Sequence, residues 1–359
     1  MKHWKLVAAA ALLVACSSEG SNATSDSANP SGSAGSNATL TGAGATFPYP
    51  IYSKWFSDYA TETGVKINYQ SIGSGGGIRQ VQEQTVDFGA TDAPMSSDEM
   101  GKAKGGPVLH FPTVLGADVI TYNLPGLTSR LRLTGPVLAD IFLGRVKKWN
   151  APAIAALNPG VNLPNTDILV VHRSDGSGTT YIFTSYLTAV SPAWKAGPGA
   201  GKEVAWPVGL GGKGNEGVAG QVKQTPGSIG YVELAYAKQN GLAYALMQNA
   251  AGQFVDPTLE SITAAAGAIA DTLTDNSDYR VSIINPNGAN AYPIASMTWL
   301  LVYQNQTDAA KGRALVDFLR WAYEKGQPAA SALDYAPLPD KMRAKLITRL
   351  SSIKLPAGA

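Results

Sequence analysis

Three short stretches rich in glycine and hydroxyl residues, TGAGATFP at 41–48, IGSGGG at 72–77 and RSDGSGTT at 173–180, each stand beside a strand-like run and ahead of a helix-like one. That alternation constrains the fold to α/β, with βαβ units and a parallel sheet. Ile51, Tyr52, Trp55, Phe56 and Tyr59 fall on one helical face, and Gly64 is placed to end that helix. Val65, Ile67 and Tyr69 then alternate with polar residues, as a strand does. After the second loop come a short helical stretch around Ile78 to Gln84 and a strand-like run from Val86 to Ala90. The same unit recurs with a strand at Ile168 to Val171 and a helix at Tyr181 to Val190, and Leu315, Val316, Phe318, Leu319 and Trp321 mark a further amphipathic helix. No repeat of fixed period is present, which excludes solenoids and propellers.

At 359 residues the chain exceeds what one hydrophobic core usually organises, so two lobes are expected. A hydrophobic content of 45% with 15% charged residues is that of a packed globular protein. The formal net charge is +2, and two of the positive charges, Lys2 and Lys5, lie in a segment expected to be cleaved. The mature chain is then close to neutral, with no basic field to hold nucleic acid.

Lys2 and Lys5 with the apolar run Leu6 to Ala15 form the n-region and h-region of an export signal, too short to span a bilayer. The run ends in Leu13-Val14-Ala15-Cys16, which resembles a bacterial lipobox, where Cys16 receives diacylglycerol; an ordinary signal peptide is the other reading. Cys16 is the chain's only cysteine, so the mature protein forms no internal disulfide and no Cys metal site. Residues 17–38 contain no large apolar side chain and read as a flexible tether. Its reach is about 25 Å, taking roughly 5–6 Å × √n for Gly/Ser-rich chains.

The three loops also suggest chemistry. A helix N-terminus offers unpaired backbone N–H groups and about half a positive charge, glycine lets an anion approach them, and Ser or Thr adds a donor. Loops of this kind are anion receptors, although Gly-Ser turns are commonly only turns. Arg173 directly follows a strand, where its guanidinium could hold an oxyanion by two parallel hydrogen bonds, and Asp175 could hold the guanidinium in place. No nucleotide motif is formed: the glycines at 73–77 lack a Lys-Ser/Thr ending, GLGGKGNEG at 209–217 has Lys213 at the wrong spacing, and Ile78 breaks a G-x-G-x-x-G pattern. The anion is therefore expected to be free.

At this level of detail the sequence resembles a known family. TGAGATFPYPIYSKW, IGSGGGIRQV, VDFGATDAP, FLGRVKKWN and HRSDGSGTTYIFTSYL, with WPVGLGGKGNEGV and PGSIGYVELAYA, are similar to the phosphate-binding component (PstS type) of the bacterial high-affinity phosphate ABC transporter. The resemblance runs from about Leu40 to the end. It implies a two-lobed periplasmic-binding-protein fold of type II, with phosphate held in the inter-lobe cleft and delivered to the transporter's permease subunits. It also implies donors at Thr46, Phe47, Ser74, Ser177, Gly178 and Thr179, the charged fork at Arg173, and an acceptor carboxylate at Asp92 for the ligand's protons. One departure is visible: many members carry two serines in the second loop, whereas here Gly75 follows Ser74.

Asp92 gives the resemblance a physical rationale. A carboxylate beside a bound anion is repulsive unless the ligand donates a proton to it. Phosphate carries an O–H at neutral pH and sulfate does not, so sulfate would meet an unpaired acceptor, a mismatch worth factors of roughly 10⁴–10⁵ in sites built on buried polar partners.

Three other readings remain open at this stage. A phosphatase on the same scaffold needs a nucleophile, a base or a metal. Only His110 and His172 lie beyond the signal, His172 is expected to point away from Arg173's side of its strand, and no metal-ligand spacing or cofactor motif is present. The second reading is a binding protein for another oxyanion, and the third is an adhesin or phosphate sensor. The expected organisation is a signal at 1–15, a lipidated Cys16 and tether at 16–38, lobe I at 39–118 plus 292–359, and lobe II at 119–291. The crossing strands are expected within Val114 to Asn123 and at 292–303. A monomer, exported and lipid-anchored at the periplasmic or cell-surface face of a membrane, completes the expectation.

Overall fold

The computed structural model describes residues 38–267 and 275–356. The signal, Cys16 and the tether as far as residue 37 lie outside the described residues. In chain order the strands are β1 (Thr39–Gly44), β2 (Lys66–Ser71), β3 (Phe88–Thr91), β4 (Val108–Tyr122), β5 (Arg132–Leu133), β6 (Leu169–Arg173), β7 (Leu210–Gly212), β8 (Ser228–Glu233), β9 (Ala243–Tyr244), β10 (Leu246–Gln248), β11 (Phe254–Val255) and β12 (Ala295–Tyr303). The principal sheet runs β2-β1-β3-β12-β4-β8-β6-β7, with β9 also on β4, and β11, β10 and β5 form a small second sheet.

β4 makes this one sheet into two lobes. Its residues Val108 to Ala117 pair with β12, and from Asp118 to Tyr122 it pairs with β8 instead. Parallel pairing, expected from the βαβ pattern, holds inside each lobe: β1 with β2 and β3, and β6 with β7 and β8. It fails at the centre, where β12 runs antiparallel to both β3 and β4. The chain enters the second lobe along β4 and comes back through β12, so those two strands must oppose each other.

Helices close the faces of the sheet. Helix Tyr49–Thr63 buries Ile51, Tyr52, Trp55, Phe56 and Tyr59, and Gly64 ends it in the left-handed conformation at φ 78°. Phe56 meets Phe318 of helix Ala309–Trp321 at 5.4 Å between ring centroids. In the second lobe Phe183 stacks on Tyr231 at 4.2 Å and tilts against Phe142 at 4.7 Å.

Four boundaries differ from the periodicity, and all of them shape the cleft. TGAG at 41–44 belongs to β1. The helix expected from Ile78 begins four residues earlier, as Ser74–Gln82, with Gly75, Gly76 and Gly77 buried in its first turn. Hydrophobic periodicity misses that turn because it contains no apolar side chain to count. Helix Gly178–Val190 likewise starts inside its polar loop, and β6 extends to include Arg173.

Candidate functional site

The first lobe contributes three strand-to-helix connections. Beyond β1, buried Thr46 offers its carbonyl to the Tyr236 hydroxyl at 2.6 Å, while the carbonyl of Phe47 accepts from the Tyr335 hydroxyl at 2.6 Å. After β2, Gly73 at φ 85° turns the chain so that Ser74 opens the next helix. Asp92, directly after β3, accepts from the Thr298 hydroxyl at 2.7 Å on Oδ1 and from the Ser74 hydroxyl at 3.3 Å on Oδ2. The backbone N–H of Asp92 donates back to Ser74 Oγ at 3.2 Å.

Arg173 is the last residue of β6, and its backbone N–H donates to the Tyr231 hydroxyl at 3.1 Å. Its guanidinium forks onto Asp175, with Nε to Oδ1 at 2.8 Å and Nη2 to Oδ2 at 2.5 Å. Nη1 reaches the Thr179 hydroxyl at 3.1 Å, and Asp175 Oδ1 also accepts from the Gly214 N–H at 3.0 Å. Ser177 caps helix Gly178–Val190, accepting from the Thr180 N–H at 3.0 Å.

These two constellations meet. Ring nitrogens play no part: the carboxamide of Asn215 donates to the hydroxyls of Thr46 in the first lobe, at 2.7 Å, and Thr179 in the second, at 3.1 Å. The Gly75 N–H donates to the Gly176 carbonyl at 2.8 Å, and Lys202 pairs with Glu99 at 2.7 Å. Thr46, Phe47, Ser74, Asp92, Arg173, Ser177, Gly178 and Thr179 thus come together between the lobes, all of them buried. Asp175 joins them as the partner of Arg173.

Charge in this enclosure is set by burial and pairing. Burial pushes the Asp92 carboxyl up to about 7, against the opposing pull of the Thr298 hydrogen bond, the Arg173 charge and the Ser74 hydrogen bond. Burial also works to raise Asp175, but the Arg173 fork and charge outweigh it and hold Asp175 below the usual carboxylate range. Arg173 stays cationic: its desolvation is more than offset by the Asp175 hydrogen bonds and charge. The site therefore presents one neutralised guanidinium–carboxylate unit, one titrating carboxyl and a ring of N–H and O–H donors.

Sequence reasoning overlooked Asn215, Tyr236, Thr298 and Tyr335. Asn215 had a signal: GLGGKGNEG follows the same strand–glycine–helix pattern as the three anion loops, with Gly212 ending β7 and helix Gly214–Gln224 after it. Rejecting it as a nucleotide motif hid its resemblance to the others. The histidines lie elsewhere. His172 stacks on Trp206 at 4.7 Å and faces its own chain's Arg173 carbonyl. His110 accepts from the Met95 N–H at 3.0 Å and pairs with Asp278 at 2.7 Å. Among the described residues no three His, Cys, Asp or Glu side chains gather as metal ligands do, and no helix is long and apolar enough to cross a membrane.

Two lobes joined by crossing strands, with buried polar loops converging between them, define a solute-binding protein of the periplasmic-binding class. Residues 29–325 match the family model described as PBP superfamily domain. The phosphate-binding protein PstS of Pasteurella multocida is 51% identical over 310 residues, covering 86% of this chain and 88% of that one. PstS of Methanocaldococcus jannaschii is 40% identical over 331 residues, covering 87% and 85%. The chain belongs to the PstS family of phosphate-binding proteins. Its fold is also that of a high-affinity periplasmic phosphate-binding protein solved with phosphate bound (TM-score 0.69, 23% identity, 88% of this chain and 94% of that one). A phosphate-binding protein from Stenotrophomonas maltophilia shares it too (TM-score 0.66, 21% identity, 87% and 94%).

Proposed function

We propose that this protein captures inorganic phosphate in the cleft and delivers it to the permease subunits of an ABC importer, working as an exported monomer anchored by lipid at Cys16. The lobes in this reading are 39–118 with 292–359, and 119–291. The observation that carries it is the placement of Arg173 and Asp92 in one buried enclosure: a forked cation from the second lobe and a carboxyl acceptor from the first. Thr46, Phe47 and Ser74 donate to the anion from the first lobe; Arg173, Ser177, Gly178 and Thr179 donate from the second. The helix starting at Gly178 adds its dipole. Asp175 keeps the guanidinium oriented and cancels its charge, so that donors, more than net charge, hold the ligand. No bond in the ligand is made or broken.

Asp92 supplies the choice of ligand. With its carboxyl near pH 7, one proton lies between Asp92 and a phosphate oxygen, whichever of them carries it. Sulfate brings no proton, and above that pH Asp92 brings none either, leaving two acceptors facing each other. Titration calorimetry with phosphate, arsenate and sulfate from pH 5 to 8 tests this. Phosphate and arsenate should bind and sulfate should fail at pH 8; equal affinity for sulfate and phosphate at pH 8 would remove the role given to Asp92. Loss of membrane association on Cys16→Ser checks the anchor.

A further inference from the structure

We propose that Asp118 and Glu233 form a coupled pair of proton-holding carboxyls at the crossing between the lobes, and that phosphate is held more tightly when the pair is uncharged. The proposal rests on the phosphate-binding reading above. Asp118 is the residue at which β4 leaves β12 and takes β8 as its partner, and Glu233, the last residue of β8, stands opposite it in the register. Both are 0% exposed. Neither carboxyl oxygen of Asp118 has a hydrogen-bond partner, nor does Oε1 of Glu233; Oε2 of Glu233 accepts from the Ala235 N–H at 2.7 Å.

The groups facing this pair come from every neighbouring element. Arg173 at the end of β6, Asp92 after β3, Tyr231 on β8 and Tyr292 before β12 face Asp118. Asp334, Tyr335 and Tyr236 face Glu233. Of these only Arg173 is a cation, and it is already forked onto Asp175. Two opposed carboxylates in so dry a place cannot both ionise without a counter-charge, so one proton at least stays with the pair. Burial drives both carboxyls well above their usual range, and the charge of Arg173 only partly opposes this at Asp118.

The pair is also tied to the cradle. The backbone N–H of Glu233 donates to Asn215 Oδ1 at 2.9 Å, and Asn215 is the residue whose amide joins Thr46 to Thr179. The ring of Phe47 lies beside Glu233: a Cβ placed on Gly116 would be 2.5 Å from that ring and 3.3 Å from Oε1. Losing the proton puts an uncompensated negative charge directly behind the donors of Thr46, Phe47 and Arg173. Over a separation on the order of 10 Å at an effective dielectric of about 20, a unit charge lowers the affinity for an anion about tenfold.

The test compares the protein with its Asp118→Asn variant, measuring the Kd for inorganic phosphate by calorimetry from pH 6 to pH 9.5. The ligand's own titration is common to both and cancels, and repeating the comparison in an Asp92→Asn background removes the titration of Asp92, which faces Asp118. The expected result is a Kd that rises about tenfold more in the unsubstituted protein than in the variant. Parallel profiles overturn the proposal. A second readout does not need ligand: carboxyl ¹³C resonances should show protonation within the pair persisting at pH 8, with the Asp118 resonance assigned by its disappearance in Asp118→Asn. Ionised carboxylates at both positions at pH 8 overturn the proposal. If that variant does not fold, Glu233→Gln takes its place in both measurements. Failure of the unsubstituted protein to bind phosphate at any pH would instead overturn the functional reading, and the ¹³C signal would still decide the proton site.

Discussion

Gly178 and Asp92 belong to opposite lobes, yet a Cβ on Gly178 would lie 2.5 Å from Asp92 Oδ2 and equally close to Ser74 Oγ. The start of the second-lobe helix is thus seated directly against the acceptor carboxyl of the first lobe. Glycine at 178 is required by this approach across the cleft, since residue 178 is otherwise an ordinary helical position that alanine would suit.

Gly178→Ala should therefore separate closure from folding. The methyl group would meet the buried Asp92 carboxyl and the Ser74 hydroxyl, both held in place by hydrogen bonds to Thr298 and to each other. We expect phosphate affinity to drop by tenfold or more, on the order of the 1–3 kcal/mol that overpacking costs. The thermal midpoint of the ligand-free protein should stay within a few degrees. Unchanged affinity by calorimetry would mean that the lobes hold phosphate without this contact.

Arg173→Lys preserves the charge and removes the fork. Asp175 would keep only the Gly214 N–H at 3.0 Å, and the Thr179 hydroxyl would lose its guanidinium donor. Lysine keeps the cation but leaves buried acceptors short of donors, at a cost of about 1–3 kcal/mol, so phosphate affinity should fall by roughly fivefold or more. Fluorescence or calorimetric titration measures it, and a change under threefold would show that a point charge suffices.

How much of this was readable beforehand depended on whether a residue's role is local. The three loops and Arg173 lie at the ends of apolar periodic runs, where composition alone marks a turn that must satisfy helix-start N–H groups, whereas the individual donors and Asp92 were implied only by the family resemblance. Thr298 and Tyr335 carry no such mark. Thr298 sits within a nine-residue buried strand and reaches Asp92 only because β12 pairs with β3, a neighbour distant in sequence. Asp118 did have a mark, an acid inside the apolar run of β4, but its opposition to Glu233 follows from a register that no local pattern encodes. The parallel pairing expected from the βαβ pattern holds for β1 with β2 and β3 and for β6 with β7 and β8. In the principal sheet it gives way only around β4 and β12, where strand direction is set by the path of the chain between lobes.

Selectivity should depend on pH with a definite sign. The Asp92 carboxyl is raised by burial from 3.8 to about 7, so it is protonated in the folded protein over a range where the unfolded chain is ionised. Below pH 7 its O–H can donate to sulfate. The preference for phosphate over sulfate should therefore narrow by tenfold or more between pH 8 and pH 5.5, because a protonated Asp92 leaves sulfate no unpaired acceptor to face. Asp92→Asn, which carries donors at every pH, should abolish that dependence. In the ligand-free protein, the same shift makes a contribution that is fully present below about pH 4 and is lost as pH rises towards 7. Its ceiling is on the order of 4 kcal/mol. Competition titrations at several pH values check the first point, and chemical denaturation against pH checks the second.

Gly75 is the one departure from the family resemblance, and the geometry gives it a role of its own. Its N–H donates to the Gly176 carbonyl of the opposite lobe at 2.8 Å, and a Cβ there would be 3.1 Å from Gly176 Cα. Adding a serine there would push two backbones apart by a few tenths of an ångström before its hydroxyl could contribute. The opposing contact is backbone on both sides, so neither side yields by rotating a side chain. We expect Gly75→Ser to weaken phosphate binding about two- to tenfold, mainly through faster release, since interface changes act chiefly on dissociation. Stopped-flow release kinetics give the answer directly. Slower release from the serine variant would show that the hydroxyl outweighs the close approach, and that Gly75 is a loss for this protein and not a latch.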